Sequence, residues 1–328
     1  MTDARHVVDA YSHVGVPRFV SPEAALDVCE RAGIAKAVCC LGPGTPDIVP
    51  LANAVRERPD RVRAVGIPFG ATPAQRLDLV GLQLDAGFSG IRLGQNEFRR
   101  DPAVENAIGE RGRWIFYAGW IGTGARAAGL LAWLERHPRG RVAVPHCLHG
   151  AALDLAATDT RIVRDLLEHE RFHVILSRQG DGRSRQRYPY RDLLPWVRML
   201  ATHCGWQRIM WGSEHPVLHW RDETIARCLS WVTDAGVDAS DDEFAAYFGG
   251  NAERLFFAEP PPAARGVELP AWVEEQFDRT RPLSLFQNAT VTMPMDKFEP
   301  LMTAYLRESE GGTKFTFGKF IARRLARR

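Results

Sequence analysis

The stretch Arg208-Ile-Met-Trp-Gly-Ser-Glu-His-Pro216 decides how the chain is read. An apolar run gives way to a Gly-Ser break and then to an acid next to a proline. That is how a buried strand ends, with Glu214 leaving its carboxyl end. The start of the chain supplies a partner, Val7-Val8-Asp9-Ala10-Tyr11-Ser12-His13. In a closed barrel of parallel strands the first and last strands are neighbours, and catalytic side chains sit at the carboxyl ends of strands. On that reading His13 and Glu214 share one site although about two hundred residues separate them.

Working outward, short runs rich in Val, Ile and aromatics alternate with amphipathic segments, as expected of parallel strands covered on both faces. The runs are Val7–His13, Lys36–Leu41, Val62–Pro68, Ser89–Leu93, Trp114–Ala118, Arg141–His146, Phe172–Ser177 and Arg208–Gly212. Helix signals separate them. Ser21-Pro22-Glu23 reads as an N-cap followed by Pro in the first turn, with Gly33 as the stop. Thr72-Pro73 opens a helix that Gly87 closes, and Asp101-Pro102 and Gly124 open two more. Ser240-Asp-Asp-Glu243 has capping-box spacing. Eight such units predict a (β/α)8 TIM barrel over residues 1–258. Two flavodoxin-like domains are the competing arrangement.

A boundary follows Asn251-Ala-Glu-Arg-Leu-Phe256, because Pro260-Pro-Pro262 cannot continue a helix and reads as a linker. Residues 259–328 form a C-terminal extension, with helices expected near Ala271–Arg279 and Met295–Arg307. Its end, Lys314 to Arg328, is basic with interleaved aromatics. The plain reading is a helix docked on the barrel or on a neighbouring subunit of a homo-oligomer, its charges solvated. The sharper one is a dock for an acidic partner or an anionic surface.

Composition narrows the classes. The 328 residues carry 42 Lys and Arg against 40 Asp and Glu; a net charge of +2 by itself says nothing about a polyanion partner, and no nucleic-acid partner is expected. No apolar run approaches the ~18–20 residues that span a bilayer, and no leader pattern opens the chain. The six cysteines form no C-x-x-C pair, which points away from a structural zinc or a disulfide framework and toward a reduced cytoplasmic setting. Phosphate-cradling loops, Gly-x-Gly-x-x-Gly after a strand and Gly-x-Ser-x-Gly are missing. Gly42-Pro-Gly44 reads as a turn, and Asn288-Ala-Thr290 as a chance glycosylation triplet.

Six motifs in order give the chain a resemblance to the amidohydrolase-related family of TIM barrels. Asp9-Ala-Tyr-Ser-His13 resembles the family's Asp-x-His-x-His, and Gly87-Phe-Ser-Gly-Ile-Arg92 its fourth-strand motif. Phe116-Tyr-Ala-Gly119 stands where the family has His-x-Gly, and Val144-Pro-His146 at its sixth-strand His. Trp211-Gly-Ser-Glu-His-Pro216 resembles Gly-Ser-Asp-x-Pro, and Asn251 to Phe256 the closing motif. In metal-bearing members the ligands are first-strand and fifth-strand histidines and an eighth-strand Asp. Here Tyr11, Tyr117 and Glu214 occupy three of those places. A neutral phenol is a poor metal ligand. No metal is therefore favoured; a zinc-like divalent ion would need His13, His146 and Glu214 as a two-His-one-carboxylate set. The pattern is similar to the metal-independent branch typified by 2-pyrone-4,6-dicarboxylate lactonase, departing from it at Tyr11 and Glu214.

The resemblance implies roles. Glu214 is expected to activate water, with His13 and His146 polarising a substrate carbonyl. Tyr11 and Tyr117 are expected as phenolic donors, with Arg92 and Arg178 as carboxylate clamps. Each has a plainer structural reading: a satisfied core histidine, core-filling tyrosine or solvated arginine. Arg183, Arg185, Arg187 and Arg191 read as solvated, although the loop from Arg178 to Arg191, with Gly180 and Gly182, has the make-up of a lid. His215 and Cys147 are expected to face away from the pocket, while His149 and His219 lie on loops that can reach in. The expected activity is hydrolysis of an ester, lactone or amide of a small carboxylated molecule. The alternatives are a metal-dependent decarboxylase and a non-catalytic scaffold barrel.

Overall fold

The computed structural model describes residues 6–122, 124–146, 159–180, 184–221, 223–261, 266–284 and 292–326. Parallel strands run in chain order: β1 Val8–Val14, β2 Lys36–Leu41, β3 Val62–Gly66, β4 Gly90–Gly94, β5 Trp114–Ala118, β6 Arg141–Pro145, β7 Phe172–Leu176 and β8 Ile209–Trp211. Helices α1 Pro22–Arg31, α2 Ile48–Glu57, α3 Pro73–Asp85, α4 Pro102–Glu110, α5 Gly124–Arg136, α6 Arg161–Glu168, α7 Leu194–Cys204 and α8 Ile225–Ala235 alternate with them. This is the (β/α)8 arrangement, with a C-terminal extension beyond the barrel. The eight strands share one sheet, so they are not divided between two flavodoxin-like domains.

Local chemistry sets the helix starts. Ser21 Oγ accepts from Ala24 N at 3.3 Å with Pro22 in the first turn. Thr72 and Gln75 form a reciprocal capping box, as do Ser240 and Glu243. The barrel closes just beyond β8. Glu214 N donates to Tyr11 O at 2.8 Å, His13 N to His215 O at 2.6 Å, and Ser213 N to Asp9 Oδ1 at 2.9 Å. Asp9 is thus a buried fastener between the first and last strands. Burial raises its pKa to about 6 against the lowering effect of the Ser213 and Tyr11 hydrogen bonds.

The β1–β2 register shifts between Asp9 and Ser12, a bulge in β1. Its extra residue lets Ala10 and Tyr11 both join the barrel interior with Val8, Val38, Phe116 and Met210. Asn251 Nδ2 donates to Trp206 O and Ile209 O at 2.7 and 2.9 Å, pinning the start of β8. Phe256 packs on Trp114 at 4.7 Å between ring centres, at the amino-terminal end of the barrel.

The extension comprises α9 Ala271–Gln276, β9 Pro282–Ser284, β10 Thr292–Pro294, α10 Met295–Glu308 and α11 Phe317–Leu325. It lies along the carboxyl-terminal rim. Trp272 and Phe277 pack on Phe69 after β3, and Gln276 Oε1 accepts from Ala71 N at 2.9 Å. Thr45 after β2 contacts Met295 Sδ at 3.8 Å. After β8, Trp220 meets Phe298 at 4.6 Å and His219 meets Tyr305 at 5.3 Å. The aromatics of α11 are buried, Phe317 fully and Phe320 nearly so, while Leu325 is exposed. The helix docks on α10, with Arg324 reaching Glu308 at 3.1 Å. Among the described residues no helix is long and apolar enough to cross a membrane. Asn288 to Thr290 lie outside the described residues.

Candidate active site

The carboxyl ends of β6, β7 and β8 each place one residue in left-handed backbone: His146 at φ 60°, Arg178 at φ 61° and Glu214 at φ 56°. That conformation is strained for residues with a Cβ, costing about 1–3 kcal/mol each, and such strain gathers at functional sites. The three side chains meet. Arg178 Nε donates to Glu214 Oε2 at 3.1 Å and its Nη2 to Oε1. Arg221, at the end of the 3-10 turn Val217–Arg221, donates Nη1 to Oε2. His146 Nε2 lies 3.3 Å from Oε1.

Glu214 is only 1% exposed. Burial alone would raise its pKa, but Arg178, His146 and Arg221 together outweigh that and hold it well below the usual carboxylate range. Its charged form is thus favoured, and the carboxylate is clamped. A cavity of about 140 Å3 adjoins it, lined by Arg178, Gln179, Ser213, Arg221 and Glu223 among others. Tyr190 donates to Glu223 Oε2 at 2.5 Å on its far wall.

Hydrogen-bond partners assign the imidazole protons. His13 Nδ1 faces the Cys40 carbonyl at 3.2 Å. A carbonyl only accepts, so Nδ1 carries the proton and Nε2 offers a lone pair. Burial pushes the pKa of His13 down to about 3, so the ring is neutral. Ser177 Oγ accepts from His146 N at 3.1 Å and lies 3.0 Å from His146 Nδ1. Ser177 thereby ties down the Nδ1 edge of the ring and turns Nε2 toward Glu214, 3.3 Å from Oε1. Burial, then Arg178, keeps the His146 pKa well below its ordinary value. The two imidazoles expected to face a substrate carbonyl thus stand in one cluster, His13 against the Cys40 carbonyl and His146 between Ser177 and Glu214.

Tyr11 links the cluster. Its ring lies 4.7 Å from that of His13 and 5.1 Å from that of His146, edge to face, and Arg92 Nε donates to its hydroxyl at 3.2 Å. His13 stacks on Phe19 at 4.8 Å, and Phe19 on Trp220 at 5.7 Å. The structure thus gathers Glu214, His13, His146, Tyr11, Arg92 and Arg178. It does not bring Tyr117 to them. Alternation along β5 sends Trp114 and Phe116 inside, and Tyr117 out among the helices against Phe98 at 5.4 Å.

His215 is buried away from the mouth against His219, at 5.4 Å. His219 packs on Tyr305 of the extension rather than entering the pocket. Arg185, Arg187 and Arg191 are exposed. Cys147, His149, Gly182 and Arg183 lie outside the described residues. Arg221 and Ser177 escaped the sequence reading. Arg221 comes from an irregular turn with no periodic signal, and Ser177 looked like the end of an apolar run.

The trio His13, His146 and Glu214 does not suit a divalent cation. Both oxygens of Glu214 are taken by guanidinium groups, His146 Nε2 is turned to Glu214, and two fixed positive charges oppose a third. Among the described residues no three His, Cys, Asp or Glu are grouped to hold a metal.

Comparison with known proteins agrees with this architecture. A family model described as amidohydrolase matches residues 6–258. An L-fucono-1,5-lactonase from Burkholderia ambifaria is 28% identical over 202 residues, which are 56% of this chain and 66% of that protein. A probable 2-pyrone-4,6-dicarboxylic acid hydrolase from Acinetobacter baumannii, crystallised with citric acid, superposes with a TM-score of 0.60 at 13% identity, covering 76% of this chain and 99% of that one. A 2,6-dihydroxybenzoate decarboxylase from Rhizobium gives 0.53 at 16% identity, covering 77% and 98%. These two likenesses speak to the fold. The family match settles membership: the chain belongs to the amidohydrolase family and is an enzyme of that kind.

Proposed function

We propose that the chain hydrolyses an ester or lactone of a small carboxylated molecule without a metal ion, Glu214 activating the water. One observation carries the reading: a buried carboxylate at the barrel mouth, held by His146 Nε2 at 3.3 Å and by Arg178 and Arg221 beside a small cavity. The lactonase relative supports the reaction class.

A clamped, low-pKa carboxylate is a weak base. A substrate carboxylate competes for the same guanidinium groups. Once it binds, Arg178 and Arg221 divide their N–H groups between two anions. The charge that holds the Glu214 pKa down is then shared, and its basicity rises where water must be activated. Binding and activation are in this way one event.

In the step itself the water oxygen bonds to the acyl carbon and the water proton passes to Glu214. The tetrahedral intermediate then collapses, breaking the acyl C–O bond, and Glu214 returns the proton to the leaving oxygen. A lactone yields one hydroxy acid. The Tyr11 hydroxyl accepts from Arg92 and turns its own proton toward the developing oxyanion. His13 Nε2 accepts from the water or from a substrate hydroxyl, and His146 keeps Glu214 Oε1 in place.

A panel of sugar-acid lactones, carboxylated lactones and carboxylated aryl esters, followed by proton release at constant pH, tests the reading. Turnover is expected for members bearing a carboxylate near the acyl group. Release of carbon dioxide from carboxylated phenols, with no hydrolysis of the panel, overturns it.

A further inference from the structure

The Gly42-Pro43-Gly44 turn after β2 is a platform for two guanidinium groups. A Cβ on Gly42 would stand 2.7 Å from Arg18 Cδ, and one on Gly44 would stand 2.8 Å from Arg281 Nη1. Arg18 comes from the loop after β1 and Arg281 from the extension, just before β9. Arg18 Nη1 reaches the Pro43 carbonyl at 3.4 Å, its carbon lies over the Phe19 ring at 5.3 Å, and its Nε is buried without a partner. Among the described residues no ion pair involves the guanidinium of Arg18 or of Arg281, although the Arg281 backbone and charge help hold the Asp278 pKa down.

Burial first, then the nearby charges of Arg92 and Arg281, pulls the Arg18 pKa down to about 10. Arg18 therefore senses both other cations. Arg281 and Gln276 of the extension line a groove of about 550 Å3 running between the loops after β2, β3 and β4, and Arg18 stands on the same glycine turn that borders it. The acids of that groove are already engaged. Arg76 holds Asp101 at 2.6 and 3.0 Å, and Glu97 Oε2 accepts from Gly94 N at 2.5 Å.

We propose that the extension completes the substrate cleft, and that Arg281 with Arg18 binds a second anionic group of the substrate, across the mouth from Glu214. The substrate class is then a molecule with two oxyanion groups, one held by Arg178 and Arg221 and one on the glycine turn. The cation from the extension selects among carboxylated lactones by length. The inference rests on the barrel mouth being the substrate site.

Calorimetric binding of butyrate, succinate, adipate and 3-phosphonopropionate to the full chain tests it without turnover. A lost charge-assisted hydrogen bond corresponds to roughly tenfold or more in affinity. The two-anion probes are expected to lose that much in R281A and in R18A, with butyrate unchanged. R281K should fall between, because it keeps the charge and loses the planar fork. R279A, whose guanidinium pairs with Glu274 at 3.0 Å, should bind all probes as the parent does. Comparing succinate or adipate with 3-phosphonopropionate tells a planar from a tetrahedral second anion. Equal losses for butyrate and the two-anion probes in R281A, or no loss in correctly melting R281A and R18A, overturn the inference. A chain that binds with this dependence yet hydrolyses no lactone keeps it and loses only the proposed reaction.

Discussion

Arg178 grips Glu214 along one edge of its guanidinium, Nε to Oε2 at 3.1 Å and Nη2 to Oε1, with both residues in left-handed backbone at the ends of adjacent strands. The strain at β7 and β8 and the pairing of their end residues belong to one device. Relaxed backbone would direct the two side chains elsewhere, and the pairing offsets part of the conformational cost. The result is a buried carboxylate that Arg178, His146 and Arg221 hold in its ionised form.

That arrangement sets a pH dependence. Arg221 is one of the groups holding the Glu214 pKa down. Replacing it with alanine removes a positive charge, so the pKa rises and the acid limb of kcat/KM should move to higher pH. The stability contribution follows the same sign. A depressed carboxylate pKa stabilises the fold above the unfolded value, about 4.3, and that contribution is lost as pH falls through the folded value. In R221A the loss should be smaller and complete at a higher pH than in the parent. An unmoved acid limb in R221A contradicts the assignment.

His173, far from the mouth on β7, should tax the fold in acid. It lies 5.0 Å from Trp114, and its Nδ1 is buried without a partner. Burial, then Arg208, Arg141 and Arg254, lowers its pKa to about 3. Between the unfolded value of about 6.5 and the folded one, the unfolded chain holds the extra proton, so stability falls as pH falls. H173F should flatten that slope by up to about 1.4 kcal/mol per pH unit and change little at pH 7. Urea denaturation at pH 7, 5.5 and 4.5 measures it. Identical slopes for parent and variant would place the acid sensitivity elsewhere.

The extension should matter to both stability and binding. Phe298 is fully buried against Trp220, the neighbour of Arg221. F298A should cost about 3–5 kcal/mol in urea denaturation. It should also raise KM for a carboxylated substrate more than it lowers kcat, because the turn that presents Arg221 loses its backing. A purely structural extension would leave KM untouched in the folded fraction.

Much of the barrel was readable in the chain, since doubly covered strands declare themselves as apolar runs. Lys36–Leu41 and Trp114–Ala118 match the structure residue for residue. The face of a strand was harder. The bulge between Asp9 and Ser12 leaves no mark in composition, yet it places Tyr11 inside the barrel. Tyr117 sits at the right point in a motif but on the wrong side of β5. Arg221 belongs to an irregular turn, and the course of the extension over the rim depends on long-range packing of Trp220, Phe298 and Tyr305 that no local pattern encodes. The hydrogen bonds that orient His13 and His146 come from Cys40 and Ser177, distant partners that only the fold brings near.

The most direct measurement is kcat for E214Q on a carboxylated lactone, alongside the affinity of the same protein for butyrate. Gln keeps the shape and loses the basic oxygen. The account expects kcat to fall by about 10²-fold or more, with butyrate bound at least as tightly because Arg178 and Arg221 are released from the charge of Glu214. Turnover by E214Q at the parental rate would contradict it.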